Sequence, residues 1–171
     1  MRVDVGRILG NRGASLAIQG AISLPGELGL GYRTTGPAQV RATMTNTGRF
    51  LHAEGRIEIG LRAECVRCLK EFDLVLKVPL AQDYLPPGES LLDEESVNDF
   101  APLTGEFLDL DPAVSEAVFL ALPMKPLCRD DCLGLCAQCG QNLNEGQCGC
   151  DKGTGHPGLA ALARLLSEKE V

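Results

Sequence analysis

The sequence predicts an α+β fold: a mainly antiparallel β-sheet with two short helices and a Cys-rich, zinc-ribbon-like C-terminal module. Three observations predict it. Residues 51–65 alternate apolar and polar side chains almost without a break. Further strand-like runs follow one another across turns, with no helical period between them. Eight cysteines fall in four close pairs, six of them beyond residue 127. At 171 residues the chain fits a single domain spanning 1–171. Pattern alone leaves open whether the sheet closes into a barrel.

Residues 1–80 form the β-rich part. Leu16, Ile18, Ile22 and Leu24 give a first, faint alternation. Val40, Ala42 and Met44 oppose Arg41, Thr43 and Thr45. Leu51, Ala53, Ile57, Ile59, Leu61, Ala63 and Cys65 share one face of the longest strand, with His52, Glu54, Arg56, Glu58, Arg62 and Glu64 on the other. Phe72, Leu74, Leu76, Val78 and Leu80 make the fourth run. Residues 25–37, between the first two runs, read as a Gly-rich connection. Successive strands joined without helices favour an antiparallel sheet.

From 81 to 106 the composition shifts. Pro86-Pro87-Gly88 precedes Asp93-Glu94-Glu95 and Asp99 with no apolar period, which predicts an exposed, acidic, mobile loop. Residues 107–123 predict a short strand, Phe107 to Leu110, and then a helix with Asp111 as N-cap and Pro112 at its first position. Val114, Ala117, Val118, Ala121 and Leu122 share its apolar face, and Pro123 stops it. The zinc-binding module occupies 124–156. A C-terminal helix follows in 157–171, with Leu159, Leu162, Leu165 and Leu166 on one side.

No run of about eighteen apolar residues is present, so no membrane span is expected. The first residues, MRVDVGRILGNRG, lack an apolar stretch of signal-peptide length, which places the protein in the cytoplasm. Thiols stay reduced there, and eight cysteines read as metal ligands before disulfides. Charge is uneven. Residues 1–77 hold 11 Lys/Arg against 7 Asp/Glu, and residues 78–171 hold 5 against 16, within a net of -7. Zinc on four thiolates carries a net of about -2, so metal loading deepens the acidity. Such a field repels naked nucleic acid and attracts basic proteins, which confines any RNA contact to the first half.

The cysteine pairs are Cys65-x2-Cys68, Cys128-x3-Cys132, Cys136-x2-Cys139 and Cys148-x-Cys150. Zinc held at about 2.3 Å by four sulfurs needs those sulfurs roughly 3.8 Å apart. A two-residue spacer achieves this when the chain turns back, and i, i+4 spacing achieves it on one helical turn. An extended Cys-x-Cys would hold its side chains roughly 6.5 Å apart, so the backbone has to bend, which Gly149 and Gly146 allow. Cys136, Cys139, Cys148 and Cys150 thus make a self-contained ribbon site. Cys65, Cys68, Cys128 and Cys132 are assigned by pair counting to a second site that ties the sheet to the C-terminal module. One or two structural zinc ions follow.

Rival chemistries fit less well. A redox Cys-x2-Cys opens a helix after a strand, whereas the chain beyond Cys68 continues as strand. Cys132-x3-Cys136-x2-Cys139 matches the iron–sulfur spacing of radical-SAM enzymes, but those need a much longer α/β barrel with the motif near its start. A catalytic zinc keeps an open position and usually a His ligand. Only His52 and His156 exist, and the cysteines pair off without them. No phosphate loop, G-x-S-x-G or GxGxxG opening a helix occurs. Asp109 and Asp111 read as helix-start chemistry. The chain reads as a non-enzyme with no small-molecule substrate.

Cys65-x2-Cys68-Leu69, Leu120-x-Leu122-Pro123, and Leu127-Cys128-x3-Cys132-x-Gly134-Leu135-Cys136-x2-Cys139-Gly140-x-Asn142-Leu143-Asn144 before Cys148-x-Cys150 together resemble the YceD family (domain of unknown function 177). The resemblance covers most of the chain and is vague before Val40. It implies a part in accumulation of large-subunit ribosomal RNA, and so in assembly of the large ribosomal subunit. It supplies no molecular mechanism. Family tails often carry an Asp-Pro-Arg-like turn after the last cysteines, where this chain has Gly155-His156-Pro157-Gly158.

Two functions of different class fit. The first is an assembly factor that contacts large-subunit ribosomal RNA or a pre-ribosomal particle through the sheet half, with Arg41, Arg56, Arg62, Arg67 and Lys70 as candidate contacts. Glu54, Glu58 and Glu64 interleave with them, and such charges also serve simply to solvate a sheet face. Aromatic residues make up 4% and Trp is absent, so phosphate and shape contacts outweigh base stacking. The second is an adaptor whose acidic segment from Glu89 to Glu116 shields a basic ribosomal protein.

Overall fold

The computed structural model describes residues 1–86, 100–103 and 105–150. Residues 87–99, with most of the acidic loop, and 151–171, with the expected C-terminal helix and His156, lie outside the described residues. In chain order the elements are β1 (Arg2–Asp4), α1 (Gly6–Leu9), β2 (Ser15–Ile22), β3 (Glu27–Gly29), β4 (Tyr32–Thr34) and β5 (Ala38–Asn46). Then come β6 (Leu51–Glu64), β7 (Glu71–Leu85), β8 (Phe100–Pro102), β9 (Phe107–Asp109) and α2 (Asp111–Ala121).

The cleanest alternation in the sequence becomes the central strand. β6 pairs with β7 along its whole length, from Leu51↔Tyr84 to Glu64↔Glu71. Its other edge is shared end to end, β5 covering Leu51 to Glu58 and β4 covering Leu61 and Arg62. β2 flanks β5, and β3 flanks β4. Pairing is antiparallel apart from β8, which lies parallel to the end of β7. β1 and β9 form a separate two-stranded ribbon.

Period-2 patterning sets which face is buried. Val40, Met44, Leu51, Ile57, Ile59, Leu61, Leu80 and Tyr84 all face one core. It is covered by Val5 and Ile8 around α1, by Leu108 and Leu110, and by Val114 and Val118 of α2. Buried Asn46 serves this packing. Its Nδ2 donates to the carbonyls of Ile8 (2.7 Å) and Leu9 (2.9 Å), closing the end of α1, and its Oδ1 accepts from Gly48 N–H.

Several expectations are corrected. The sheet is open: among the described residues β2 and β8 are not paired to each other, and no barrel closes. The connection at 25–37 is itself a hairpin, β3–β4, with Gly29, Leu30 and Gly31 all at positive φ around its turn. The fourth strand runs past Leu80 to Leu85, because Gln82 and Tyr84 still pair with Ala53 and Leu51. Part of the segment read as acidic loop therefore belongs to the sheet. At α2 the N-cap position falls to Leu110, so Asp111 and Pro112 are the first two helical residues. Asp109 supplies the capping oxygen, accepting from Asp111 N–H at 3.1 Å. Leu122 turns extended before Pro123, which ends the helix. No helix among the described residues is long and apolar enough to cross a membrane.

This frame delivers the Cys-rich segment to the sheet. Tyr32 of β4 donates its hydroxyl to the Pro123 carbonyl (3.0 Å), and Val66 N–H donates to the Pro126 carbonyl (3.0 Å). The chain leaving α2 is thereby held against the β6–β7 turn that carries Cys65 and Cys68.

Candidate metal centres

The eight cysteines gather into two tetrads. In each, the four sulfurs lie within 4.8 Å of one another: Cys65, Cys68, Cys128 and Cys132 in one, and Cys136, Cys139, Cys148 and Cys150 in the other. The bridging tetrad joins residues far apart in the chain, with Cys65 and Cys132 sulfurs at 3.8 Å and Cys68 and Cys128 at 3.7 Å. Those separations are far longer than a disulfide's roughly 2 Å and match the roughly 3.8 Å edge of a tetrahedral tetrathiolate. It is the buried tetrad, whereas the ribbon tetrad is half-buried with Cys139 exposed.

The two Cys-x2-Cys turns are copies of one local structure. Cys65 N–H donates to the Lys70 carbonyl, and Leu69 N–H to the Cys65 carbonyl. Cys136 N–H likewise donates to the Gln141 carbonyl, and Gly140 N–H to the Cys136 carbonyl. The residue after the second cysteine is left-handed in both: Leu69 at φ 58 and Gly140 at φ 74. Glycine enters that region freely, while a leucine is strained there. Cys128-x3-Cys132 is a tight turn closed by Cys132 N–H on the Arg129 carbonyl, rather than a helical turn. The expected bend glycines also differ. Gly146 and Gly149 keep φ values open to any residue, and the left-handed positions are Gly134 and Gly140.

Each tetrad mixes acidified with ionisation-resistant thiols: Cys136 against Cys150 in the ribbon, and Cys65 and Cys132 against Cys68 and Cys128 in the bridging site. N–H groups of Cys139 and Gln138, with help from Cys148, hold Cys136 down at about 6. Cys150 is pushed up to about 12, first by its hydrogen bond with Cys139 and then by burial and neighbouring thiolate charge. In the bridging tetrad burial raises Cys65, but N–H groups of Cys128, Cys68 and Arg67 outweigh it and bring the thiol to about 6. Cys128 is pushed up to about 12 by burial and by its sulfur neighbours. Some thiolates are welcomed and others repelled, a conflict that a divalent cation in the middle would remove. An all-sulfur donor set of this size fits zinc, and with no fourth position left for water it fits structural zinc.

The candidate RNA contacts separate. Arg62 is forked onto Asp73, Nε at 2.7 Å and Nη2 at 3.0 Å. Arg67 turns toward the bridging tetrad and donates through Nη1 to the carbonyls of Cys132 (2.8 Å) and Asp130 (3.4 Å). Lys70 is exposed at the sheet's end, its carbonyl used by Cys65 N–H. Arg41 and Arg56 face each other across β5 and β6. Asn144, in the sequence only one residue of the Asn-Leu-Asn motif, touches a candidate ligand: its Nδ2 lies 3.3 Å from the Cys132 sulfur. The Asn-Leu-Asn spacing was the available signal, since Asn142 in turn fixes Asn144.

Residues 53–166 match the family model described as the large ribosomal RNA subunit accumulation protein YceD, and both tetrads lie inside that match. An uncharacterized protein of Mycobacterium tuberculosis and one of Mycobacterium bovis are each 27% identical over 148 residues, 84% of this chain and 70% of theirs. An uncharacterized protein of Mycobacterium leprae is 30% identical over 142 residues, 79% of this chain and 64% of its own. No solved structure matches.

Proposed function

The chain belongs to the YceD family, and from that membership we propose that it is a non-enzymatic factor in large ribosomal subunit biogenesis. It supports accumulation of large-subunit ribosomal RNA by binding RNA, a pre-ribosomal particle or a basic ribosomal protein, in the cytoplasm. The observation that carries this reading is the family match across residues 53–166, which takes in all eight cysteines. Two structural zinc ions complete the two tetrads. When bound, zinc supplies a rigid cross-link rather than a reactive centre. The bridging site staples the Cys-rich module to the β6–β7 turn, and the ribbon site holds the module's outer hairpin.

The direct test is depletion of the protein in growing cells, with large- and small-subunit ribosomal RNA measured side by side. Loss of the large-subunit species alone, restored by wild-type protein, supports the reading; unchanged ratios under slow and fast growth overturn it. Ultraviolet crosslinking of the native protein separates the partners.

A second reading is supported by charge. Residues 78–171 hold 16 acidic against 5 basic residues, a field suited to shielding a basic ribosomal protein until it meets RNA. Recovery of such a protein without crosslinked RNA, and its loss when Asp93, Glu94 and Glu95 are neutralised, supports the adaptor.

A further inference from the structure

Two pairs of arginines face each other across strands of the sheet, and only one pair is compensated. Arg33 and Arg62 are register partners on β4 and β6. Each has an acid of its own: Arg33 lies 3.8 Å from Glu71, and Arg62 is forked onto Asp73. Arg41 and Arg56 are likewise partners, on β5 and β6. Among the described residues neither has an ion-pair or hydrogen-bond partner, although both are exposed. Cross-strand partners sit about 5 Å apart at Cβ, and like charges so placed destabilise a sheet. The fold gives one such pair acids of its own and leaves the other without an ion pair, although Glu54 lies beside it.

The surroundings suit an anion. Gln19 of β2 is the register partner of Arg41, so Gln19, Arg41 and Arg56 form a row across three strands. The row lines a shallow depression of about 720 Å³ together with Ala17, Thr43 and Glu54. Ala17 leaves room, and Gln19 and Thr43 add neutral donors. Glu54 marks the anion's limit on one side, since a carboxylate repels a phosphate. Two guanidinium groups with amide and hydroxyl donors match a tetrahedral oxyanion. The scarcity of aromatic residues leaves backbone rather than base contact as the means of holding RNA.

We propose that Arg41 and Arg56 form a phosphodiester-binding site for the RNA backbone, with Gln19 and Thr43 as auxiliary donors, and that Arg62 and Arg67 are structural. This rests on the assembly-factor reading and specifies its contact. The site costs some stability in the free protein, because its two like charges face each other across the strands and Glu54 forms an ion pair with neither. That cost gives a signature that a merely structural arginine lacks.

The experiment titrates full-length, zinc-loaded protein with purified large-subunit ribosomal RNA across a potassium chloride series, for wild type and R41Q, R56Q, R62Q and E54Q. Thermal melts accompany each variant. R41Q and R56Q are each expected to weaken binding and to reduce the slope of log K against log salt by about one, with no drop in Tm. E54Q is expected to tighten binding, and R62Q to keep the slope while lowering Tm. Wild-type affinity with slopes unchanged in R41Q and R56Q overturns the site and leaves the proposed function standing. Competition by millimolar inorganic phosphate beyond that of chloride at equal ionic strength also overturns it, in favour of a free-phosphate site. Absence of any RNA affinity overturns it too, and the function is then judged separately by co-sedimentation with large-subunit precursor particles.

Discussion

The Asn144 side-chain amide, carried on the hairpin of one cysteine tetrad, donates to the Cys132 sulfur of the other at 3.3 Å. Its Oδ1 accepts from Leu133 N–H at 2.8 Å and from Arg129 Nη2 at 2.6 Å. One side chain of the ribbon thus orients a ligand of the bridging site and the turn on either side of it. A donor to sulfur offsets thiolate charge and fixes the ligand's direction, and such partners are typically worth 10–100-fold in metal affinity. Asn144→Ala is expected to lower zinc affinity of the bridging site by about that range. Competition with a chromophoric chelator measures it; unchanged retention rules out the coupling.

The two sites differ in exposure, so they should empty in order. Cys65, Cys68 and Cys132 are buried, whereas Cys139 is exposed and its three partners half-buried. Under reducing conditions a strong chelator is expected to strip the ribbon site first, in a distinct fast phase. Alkylation with mass spectrometric readout should then label Cys136, Cys139, Cys148 and Cys150 before Cys65 and Cys68. The β6–β7 pairing, being independent of metal, is expected to persist by circular dichroism after both phases. Simultaneous labelling of all eight would show a single cooperative unit instead.

Leu69 and Gly140 occupy equivalent left-handed positions, which sets up a reciprocal pair of substitutions. Gly140→Leu imposes strain of about 1–2 kcal/mol on a turn that has none. Leu69→Gly relieves the same strain at the cost of extra freedom in the unfolded chain, so its net effect is expected to stay within about 1 kcal/mol. Leu69 is 57% exposed, so little packing is lost. Denaturant unfolding of the zinc-loaded variants decides; equal destabilisation by both would contradict the shared turn geometry.

Tyr84 is 1% exposed, and among the described residues its hydroxyl finds no hydrogen-bond partner. Burial, reinforced by the charge of Asp109, pushes its phenol up to about 12 from 10.0. A folded value above the unfolded one stabilises the protein fully below pH 10.0, and that contribution disappears as pH rises through about 12. Alkaline titration followed at the tyrosinate absorbance is therefore expected to show Tyr84 ionising in step with unfolding. Tyr84→Phe removes an unmatched buried hydroxyl and is expected to stabilise by about 1 kcal/mol. A loss of stability would reveal a partner for that hydroxyl.

What the sequence disclosed depended on how local each cause is. Alternation through Leu51 to Cys65 is a property of adjacent residues, and it located the central strand and its buried face. The ribbon tetrad, closed within Cys136 to Cys150, was legible for the same reason. The bridging tetrad was reached only by counting leftover pairs, since nothing near Cys65 says that Cys132 arrives beside it. β3 and β4 are three residues each, too short to show a period, and their glycines spoke only of turns. Arg67 looked like any basic surface residue. Its commitment to the Cys132 carbonyl depends on chain returning from 65 positions away. Pro112 after Asp111 points to Asp111 as the cap, whereas the helix begins one residue earlier, so the capping oxygen comes from Asp109, outside the helix.

The span of the bridging site has a consequence for synthesis. Cys68 and Cys128 are 60 positions apart, and Cys65 and Cys132 are 67. At about 5–20 residues per second, the first two thiols leave the ribosome several seconds before their partners. Until then the first pair lacks the two thiols that complete its tetrad. The ribbon cysteines, all made between residues 136 and 150, can gather without waiting for a distant partner. Maturation is therefore expected to run against the direction of translation, the last ligands made being the first secured.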